Sequence, residues 1–236
     1  MQQHIIHSLE IGPMQNLVHI VEDAASSKAA VFDPAWEAHT IFEFLDKKNL
    51  HLDKILLTHS HYDHLNAMAD LLAAEPVPVY MSQEEYEFYG EKIPTINLIK
   101  NKDVITVGQT GILSLFTPGH TPGGMSYLID KDLICGDTLF VYGCGTCSLD
   151  GGDAQTMYES LTFLKSYIAG DVVIYPAHAY SVLNASNWQE QLQANPFLML
   201  DNEKDFVRFR LDIHDNVRKY PMGPVSGEQL RSWMKL

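Results

Sequence analysis

Residues 59–64 bring three imidazoles and one carboxylate together within six residues, His-Ser-His-Tyr-Asp-His. Three close imidazoles in low-dielectric surroundings repel one another when protonated and leave ring nitrogens unsatisfied when neutral, whereas a bound divalent cation removes both problems. The segment therefore predicts a metal site, at which the expected chemistry is the activation of water for hydrolysis. An accidental cluster of surface histidines is the alternative interpretation.

The elements on either side place this segment in a loop between a strand and a helix. A buried strand over 54–57 precedes it, and a helix over 65–74 follows it. Earlier in the chain, the hydrophobic pattern predicts strands over 16–21 and 29–32 and an amphipathic helix over 36–48. The first third therefore alternates strands with helices.

The middle of the chain is richer in strands, which are separated by Gly, Pro, Asp and Asn. The predicted strands cover residues 77–80, 104–107, 112–116, 125–129 and 133–135. A helix over 154–169 and a strand over 172–175 follow them. This order predicts a layered α/β domain with two sheets back to back and helices outside.

The end of the chain has a mostly helical composition, with a break between two helices at Asn195-Pro196. We expect residues 1–180 to form the main domain and residues 181–236 to form a helical C-terminal extension packed on it. The extension contains several basic residues that we expect on a solvated helix face, namely Lys204, Arg208, Arg210, Arg218 and Lys219.

Several short motifs accompany the His-rich loop along the chain. They are Asp33-Pro34, Pro118-Gly119-His120-Thr121, Cys135-Gly136-Asp137-Thr138 and Tyr175-Pro176-Ala177-His178. In this order the motifs resemble those of the metallo-β-lactamase superfamily, over about residues 16–178. The resemblance implies a four-layer αββα sandwich with a metal site at one edge of the two sheets.

The resemblance also implies which side chains bind metal. It assigns His59, His61 and His120 to one cation, Asp63, His64 and His178 to a second, and Asp137 to a bridging position. Asp33 is expected to support the metal loop through hydrogen bonds. Asp63 is also expected to orient the bridging hydroxide, so Asp63 and Asp137 are the predicted catalytic residues.

Such a donor set predicts hydrolysis. Two cations about 3.5–4 Å apart can share a water and lower its pKa to about 7, while one of them polarises the substrate carbonyl. We expect two divalent ions and favour zinc, although imidazole and carboxylate ligands also suit iron and manganese. The metals would supply the nucleophile, so no Ser-His-Asp set is needed.

Residues 136–145 are similar to the glyoxalase II branch of the superfamily, whose members hydrolyse thioesters of glutathione. A thioester suits this site because a thiolate leaves without being protonated. Thr146, however, stands where the glutathione-dependent members usually carry Arg or Lys. Residues 143–152 resemble instead the stand-alone hydrolases of bacterial polyketide pathways, which implies an acyl thioester on a pantetheine or a carrier protein.

The segments that follow the ligands supply candidates for the pocket wall. We expect Tyr142, Cys144, Thr146 and Tyr180 to line the substrate pocket, with simple loop packing as the alternative. Cys144 and Cys147 form a C-x-x-C pair, which occurs in redox and metal sites. A single pair without a second one favours small residues that line a loop.

Two other functions stay open. Residues 175–180 also resemble the persulfide dioxygenases of the superfamily, in which one iron is held at positions matching His59, His120 and Asp137. Two histidines and one carboxylate with open positions form an oxygen-activating arrangement. A metal-binding module without catalytic activity is the third interpretation.

Composition and charge limit the classes of binding partner that we expect. The chain has 236 residues, of which 46% are hydrophobic, which suits one compact domain. Its net charge of −14 repels nucleic acids and anionic membranes, so we expect neither as a partner. An acidic carrier protein would require a local basic patch, for which the extension is the candidate.

The N-terminal ten residues lack the basic start and apolar run of a secretory signal, and no apolar run is long enough to span a bilayer. We therefore expect a cytoplasmic location. The oligomeric state is not predicted by the sequence.

Overall fold

A computed structural model describes residues 4–218 and 220–236 of the chain and contains two six-stranded sheets. The first sheet consists, in spatial order, of β1 (His4–Ile11), β2 (Asn16–Asp23), β3 (Lys28–Phe32), β4 (His51–Leu56), β5 (Val79–Ser82) and β6 (Ile96–Ile99). Strands β1 to β3 are antiparallel. Strands β3 to β6 are parallel, so their carboxyl ends lie at the same edge.

In the second sheet, too, strands that are consecutive in the chain are neighbours in the sheet. It consists of β7 (Val104–Val107), β8 (Thr110–Phe116), β9 (Met125–Ile129), β10 (Asp132–Gly136), β11 (Val173–Pro176) and β12 (Ser186–Asn187). Strands β10 and β11 are parallel, and helix α5 (Ala154–Tyr167) lies between them in the chain. The other pairs are antiparallel.

Helices connect the strands of the first sheet and make up most of the C-terminal part. The former are α1 (Ala38–Lys48), α2 (Tyr62–Leu65), α3 (Met68–Ala74) and α4 (Gln83–Tyr89). The latter are α6 (Trp188–Ala194), α7 (Pro196–Met199), α8 (Glu203–Arg208), a π-helical turn (Phe209–Ile213), α9 (His214–Val217) and α10 (Gly227–Trp233). In the described part of the chain, no helix is long and apolar enough to cross a membrane.

Three clusters of buried side chains define the layers. Phe32 and Leu56 of the first sheet and Tyr127 and Ile134 of the second belong to one cluster, which lies between the sheets. A second cluster joins the first sheet to α1 and α3, and a third joins the second sheet to α5 and the C-terminal helices. The predicted αββα sandwich is therefore confirmed.

The C-terminal residues pack directly on the second sheet. Trp188, Phe197 and Phe206 are buried in the same cluster as Leu133 of β10, and β12 pairs with β11. The predicted boundary between residues 180 and 181 stays a prediction. The predicted helix break is confirmed, since Asn195 ends α6 and caps α7 by accepting a hydrogen bond from the N–H of Phe197.

The structure differs from the predicted elements in several places. Strands β1, β6 and β12 and helix α4 were not expected, and the helix predicted over 65–74 begins later, as α3, and is separated by a break from α2, which lies mostly in the predicted loop. The interruption has a visible cause. Asn66 Oδ1 accepts the backbone N–H of Trp36 at 2.6 Å, and the N–H of Ala67 donates to the carbonyl of Pro34 at 3.1 Å instead of to a helical partner.

Candidate metal centre and substrate cavity

The seven predicted ligands come together at one edge of the sandwich, because each follows a strand that ends there. His59 and His61 follow β4, Asp63 and His64 belong to α2, His120 lies between β8 and β9, Asp137 follows β10, and His178 follows β11. Six of them form two triads whose ligand atoms lie within 4.8 Å of one another, His59 with His61 and His120, and Asp63 with His64 and His178.

In the first triad, hydrogen bonds at Nδ1 leave the Nε2 atoms free. His120 Nδ1 donates to the carbonyl of Thr146 at 2.7 Å. The Thr58 hydroxyl donates to a carboxylate, so it accepts from His59 Nδ1 at 3.0 Å. The Nε2 atoms of His59 and His120 therefore carry lone pairs, and both are buried without a hydrogen-bond partner among the described residues.

In the second triad, the rings are oriented in the same way. His178 Nδ1 donates to the carbonyl of Met14 at 2.9 Å, and His64 Nδ1 donates to Asp33 Oδ2 at 3.2 Å. The two Nε2 atoms then face each other at 3.2 Å. Asp63 Oδ2 lies 3.4 Å from His64 Nε2 and 3.5 Å from His178 Nε2. Several lone pairs thus converge on one small volume.

Asp137 lies between the two triads. Its Oδ2 is 3.4 Å from His120 Nε2 and 3.5 Å from His178 Nε2, and its Oδ1 is 3.6 Å from His64 Nε2. Oδ1 is buried and has no hydrogen-bond partner in the part of the chain that the structure describes. The carboxylate therefore faces both groups of ligands, as a bridging ligand must.

The electrostatics of the cluster fit a divalent cation. Burial, with His64 nearby, holds the pKa of His59 well below its ordinary value. Burial acts in the same direction on His64, but the surrounding carboxylates, Asp137 foremost, outweigh it and raise its pKa well above the ordinary value. The carboxylates favour positive charge between the rings, and a cation supplies that charge.

Asp33 supports the His-rich loop. Its Oδ1 accepts the backbone N–H of Thr58 at 2.7 Å, and its Oδ2 accepts the Thr58 hydroxyl at 2.5 Å and His64 Nδ1 at 3.2 Å. Its oxygens therefore accept hydrogen bonds from the loop and from Nδ1 of His64. The sequence predicted such hydrogen bonds between Asp33 and the metal loop.

Two supporting residues were missed by the sequence interpretation. Asn16 Nδ2 donates to Asp63 Oδ2 at 2.9 Å. Glu85 is fully buried and accepts the N–H and hydroxyl of Ser60 at 2.7 and 2.6 Å and the N–H of Gly123 at 2.9 Å. Glu85 thereby joins the His59–His61 loop to the His120 turn. Its only sequence signal is the pair Ser82 and Glu85, spaced as in a helix capping box.

A cavity of about 600 Å³ opens beside the ligands. Of the residues expected in its wall, Cys144, Thr146 and Tyr180 line it. Tyr142 does not, contrary to the expectation, because its ring is buried in the core and its hydroxyl donates to Glu190.

The basic residues of the C-terminal extension divide into two groups. Lys204 and Arg208 are exposed, as expected for a solvated helix face. Arg210 and Arg218 instead line the cavity, which corrects the expectation for these two. The fold turns this part of the extension toward the metal centre, and Lys219 lies outside the described residues.

Cys144 and Cys147 are free thiols in buried positions. Burial raises the pKa of Cys147 to about 12 and that of Cys144 well above its ordinary value. Thiols with a raised pKa are weak nucleophiles and poor redox centres.

Comparison with known proteins found a family match and several similar sequences. Residues 11–194 match the model of the metallo-beta-lactamase superfamily. The "Probable polyketide biosynthesis zinc-dependent hydrolase PksB" of Bacillus subtilis is 36% identical over 83% of this chain and 87% of its own length. A hydroxyacylglutathione hydrolase of Shewanella halifaxensis is 35% identical over 79% of this chain and 72% of its own.

Among solved structures, that of ETHE1 from Myxococcus xanthus is similar over 98% of this chain and 96% of its own, with a TM-score of 0.81 and 23% identity. At this identity the likeness concerns the fold alone.

Proposed function

Because the chain belongs to the metallo-beta-lactamase superfamily, we propose that it is a metal-dependent hydrolase that cleaves an acyl thioester. The observation that carries the proposal is the convergence of the seven side chains, with the ring nitrogens of His59 and His120 and an oxygen of Asp137 buried and unpaired within the described residues. Structure alone does not require so many unpaired polar atoms, since each costs free energy.

Each residue of the cluster has a proposed role. His59, His61 and His120 would hold one cation, Asp63, His64 and His178 would hold a second, and Asp137 lies between the two triads. Bound divalent cations, zinc foremost, supply a nucleophile at neutral pH and polarise the carbonyl of the substrate. Asp63, which is steadied by Asn16, is placed to accept a hydrogen bond from the attacking water.

A thioester is the substrate that the surroundings support. A thiolate leaves without a proton, and two tyrosines of the cavity wall, Tyr180 and Tyr220, are poor acids because burial raises the pKa of both. Thr146 lines the cavity at the position discussed above for glutathione binding. This favours a small-molecule pantetheine thioester or a carrier-protein thioester over a glutathione thioester, in line with the similarity to PksB. A cytoplasmic location stays a prediction.

The test combines metal analysis with turnover. We expect two metal equivalents per chain and hydrolysis of acyl pantetheine in preference to acyl glutathione. Asp137→Ala should lower kcat/KM about 100-fold or more, because it removes the carboxylate shared by both triads. His39→Ala is the control, since that side chain is 72% exposed on α1.

Full activity of Asp137→Ala would contradict the dinuclear arrangement. One equivalent of iron, with oxygen uptake on glutathione persulfide and no thioester hydrolysis, would replace the hydrolase by a dioxygenase.

A further inference from the structure

A second group of unpaired polar atoms lies in the residues that line the same cavity. Arg210 Nε, His214 Nε2 and Arg218 Nε are buried and have no hydrogen-bond partner in the described ranges. All three residues line the cavity, and all three come from the C-terminal extension. Burying such nitrogens without partners is unfavourable. Two other residues with unpaired buried atoms, Trp188 and Thr121, do not line the cavity, so the shared position at the cavity wall is what marks Arg210, His214 and Arg218 as a candidate site.

The local backbone holds Arg210 at this wall. Arg210 belongs to the π-helical turn Phe209–Ile213, which interrupts an otherwise α-helical run from α8 to α9. Turns of this kind are rare and recur at functional sites. The Arg210 side chain is 3% exposed, and its Cζ lies 5.7 Å from the centroid of the Phe197 ring. The guanidinium is therefore fixed by packing.

The cluster already holds one carboxylate. Asp215 Oδ1 lies 2.6 Å from Arg210 Nη2, which donates to it, and 2.8 Å from His214 Nδ1. Arg210 Nη1 lies 2.9 Å from the same Nδ1, and because a guanidinium only donates, Nδ1 accepts and the neutral imidazole carries its proton on Nε2. The Asp215 side chain is 70% exposed and can leave this position without unpacking the core. Arg218 adds a second positive charge, and its Nη atoms donate to the carbonyl oxygens of Tyr142 and Gly223.

The remaining neighbours do not neutralise this charge. Burial raises the pKa of Cys144 well above its ordinary value, although Arg210 beside it acts in the opposite direction, so the thiol is uncharged. Burial, with Arg210 adding to it, lowers the pKa of His214 to about 4, so the imidazole is neutral at pH 7. Two guanidinium groups against one carboxylate leave a positive wall in a chain whose net charge is −14.

We propose that Arg210, His214 and Arg218 form a subsite for an anionic oxygen group of the substrate, which replaces Asp215 against the Arg210 guanidinium. The anionic group is a carboxylate on the acyl chain or a phosphate on the thiol carrier. The subsite deepens the proposed function and rests on it, because the same cavity contains the metal centre.

Two pairs of matched substrates distinguish a carboxylate on the acyl chain from a phosphate on the thiol carrier. Glutaryl and pentanoyl thioesters of N-acetylcysteamine differ in one carboxylate, and pentanoyl thioesters of 4′-phosphopantetheine and pantetheine differ in one phosphate. The metal-loaded enzyme should prefer the anionic member of one pair, and the pair that shows the preference identifies the source.

Three variants connect the preference to the subsite. Arg210→Gln should lower kcat/KM for the preferred anionic substrate about tenfold to a hundredfold and leave the neutral partner within a few-fold, since a hydrogen bond to a charged group is lost. Asp215→Asn should raise the preference, because the competing carboxylate is gone. Lys204→Gln, which removes an exposed charge from α8, should change neither.

Two results would overturn the proposal: the absence of any preference in both pairs, or a preference that neither Arg210→Gln nor Asp215→Asn changes. Because Asp215 is exposed, its variant keeps the test decisive even when Arg210→Gln does not fold. A purely structural Arg210–Asp215 pair would make both variants lose activity on both substrates.

Equilibrium binding separates this proposal from the thioesterase proposal. Glutarate and inorganic phosphate are titrated into the metal-loaded wild type, Arg210→Gln and Asp215→Asn by calorimetry. If no thioester is hydrolysed, the proposed function fails, but weaker binding of one probe by Arg210→Gln and tighter binding by Asp215→Asn still support the anion subsite. Equal binding by all three proteins overturns it.

Discussion

Four of the five histidines of the candidate metal centre use Nδ1 to anchor the ring to the protein. The acceptors are carbonyl oxygens for His120 and His178, the Asp33 carboxylate for His64, and the Thr58 hydroxyl for His59. Anchoring one nitrogen fixes the tautomer and the direction of the other, which raises the affinity of a site for its metal. These contacts orient the four rings so that each Nε2 is free to bind a cation.

Glu85 offers a test of this arrangement that leaves all the ligands in place. Glu85→Gln replaces a carboxylate that accepts three hydrogen bonds from Ser60 and Gly123. We expect metal affinity to fall about tenfold to a hundredfold, because the two ligand loops lose their connection. Competition with a chromogenic chelator measures the affinity.

Glu84→Gln is the matched control, since Glu84 is exposed on the same helix. Unchanged affinity in Glu85→Gln would show that the loops hold their positions without the carboxylate.

The residue types predicted the ligands, but they did not predict the anchors. Imidazoles and carboxylates at close spacing are visible in the sequence as candidate metal ligands. The carbonyls of Met14 and Thr146 are backbone atoms, which any residue supplies, and they depend on how distant loops meet. Arg210 was placed in solvent for a related reason, because helical periodicity does not show a π-helical turn.

At the scale of the elements, a buried aspartate ties the two sheets together. Asp23, at the end of β2, accepts the N–H and hydroxyl of Ser26, the N–H of Gln109 and the hydroxyl of Thr110. Ser26 belongs to the turn between β2 and β3, and Gln109 to the turn between β7 and β8. One carboxylate thus stabilises a turn of each sheet.

Removing this charge should destabilise the fold. We expect Asp23→Asn to lower the free energy of unfolding by about 1–3 kcal/mol at pH 7, because the amide replaces an acceptor oxygen with a donor. Urea denaturation measures the change. Asp46→Asn, an exposed position on α1, should unfold like the wild type.

The same contacts give the effect a pH dependence. Four hydrogen bonds outweigh burial and lower the pKa of Asp23 to about 2 from an ordinary value of 3.8. A lowered carboxyl pKa stabilises the folded state above the unfolded-state value, and this contribution is lost as the pH falls from about 4 to about 2. The difference between wild type and Asp23→Asn should shrink over that range. A constant difference would show that the effect is steric.

The periodicity of the sequence predicted most of the strands and the longer helices, while the eight-residue strand β1 and the short elements β6, β12 and α4 were missed. Helix α4 is marked by Ser82, whose hydroxyl accepts the N–H of Glu85, yet seven residues are too few for periodicity to be decisive. The break between α2 and α3 depends on Pro34 and Trp36, which are distant in sequence. Tertiary hydrogen bonds of this kind have no local signal.

At the scale of the whole molecule, the C-terminal extension completes the hydrophobic core. Trp188, Phe197, Phe206 and Phe209 are at most 1% exposed. Burying a large apolar side chain is worth about 1.5–3 kcal/mol. Together these side chains contribute as much as the whole stability of an ordinary domain.

A chain that ends at residue 180 should therefore not fold cooperatively. The outer face of the second sheet and α5 would be exposed, which favours aggregation. Circular dichroism during heating and limited proteolysis measure the effect. A chain without the exposed Lys235 and Leu236 is the control. A cooperative transition in the chain of 180 residues would show that the main domain is independent.

Two stretches of sequence line most of the cavity, and they contribute different side chains to it. Loops between residues 59 and 180 bring the ligands, and the C-terminal part adds Arg210, His214, Asp215, Arg218, Tyr220 and Met222 to the cavity wall. Proteins with this arrangement can thus change their substrate selectivity through substitutions in the C-terminal part of the wall, while the metal ligands stay the same. An extension that contributes large side chains to the core is at the same time the part of the molecule where new selectivity can arise.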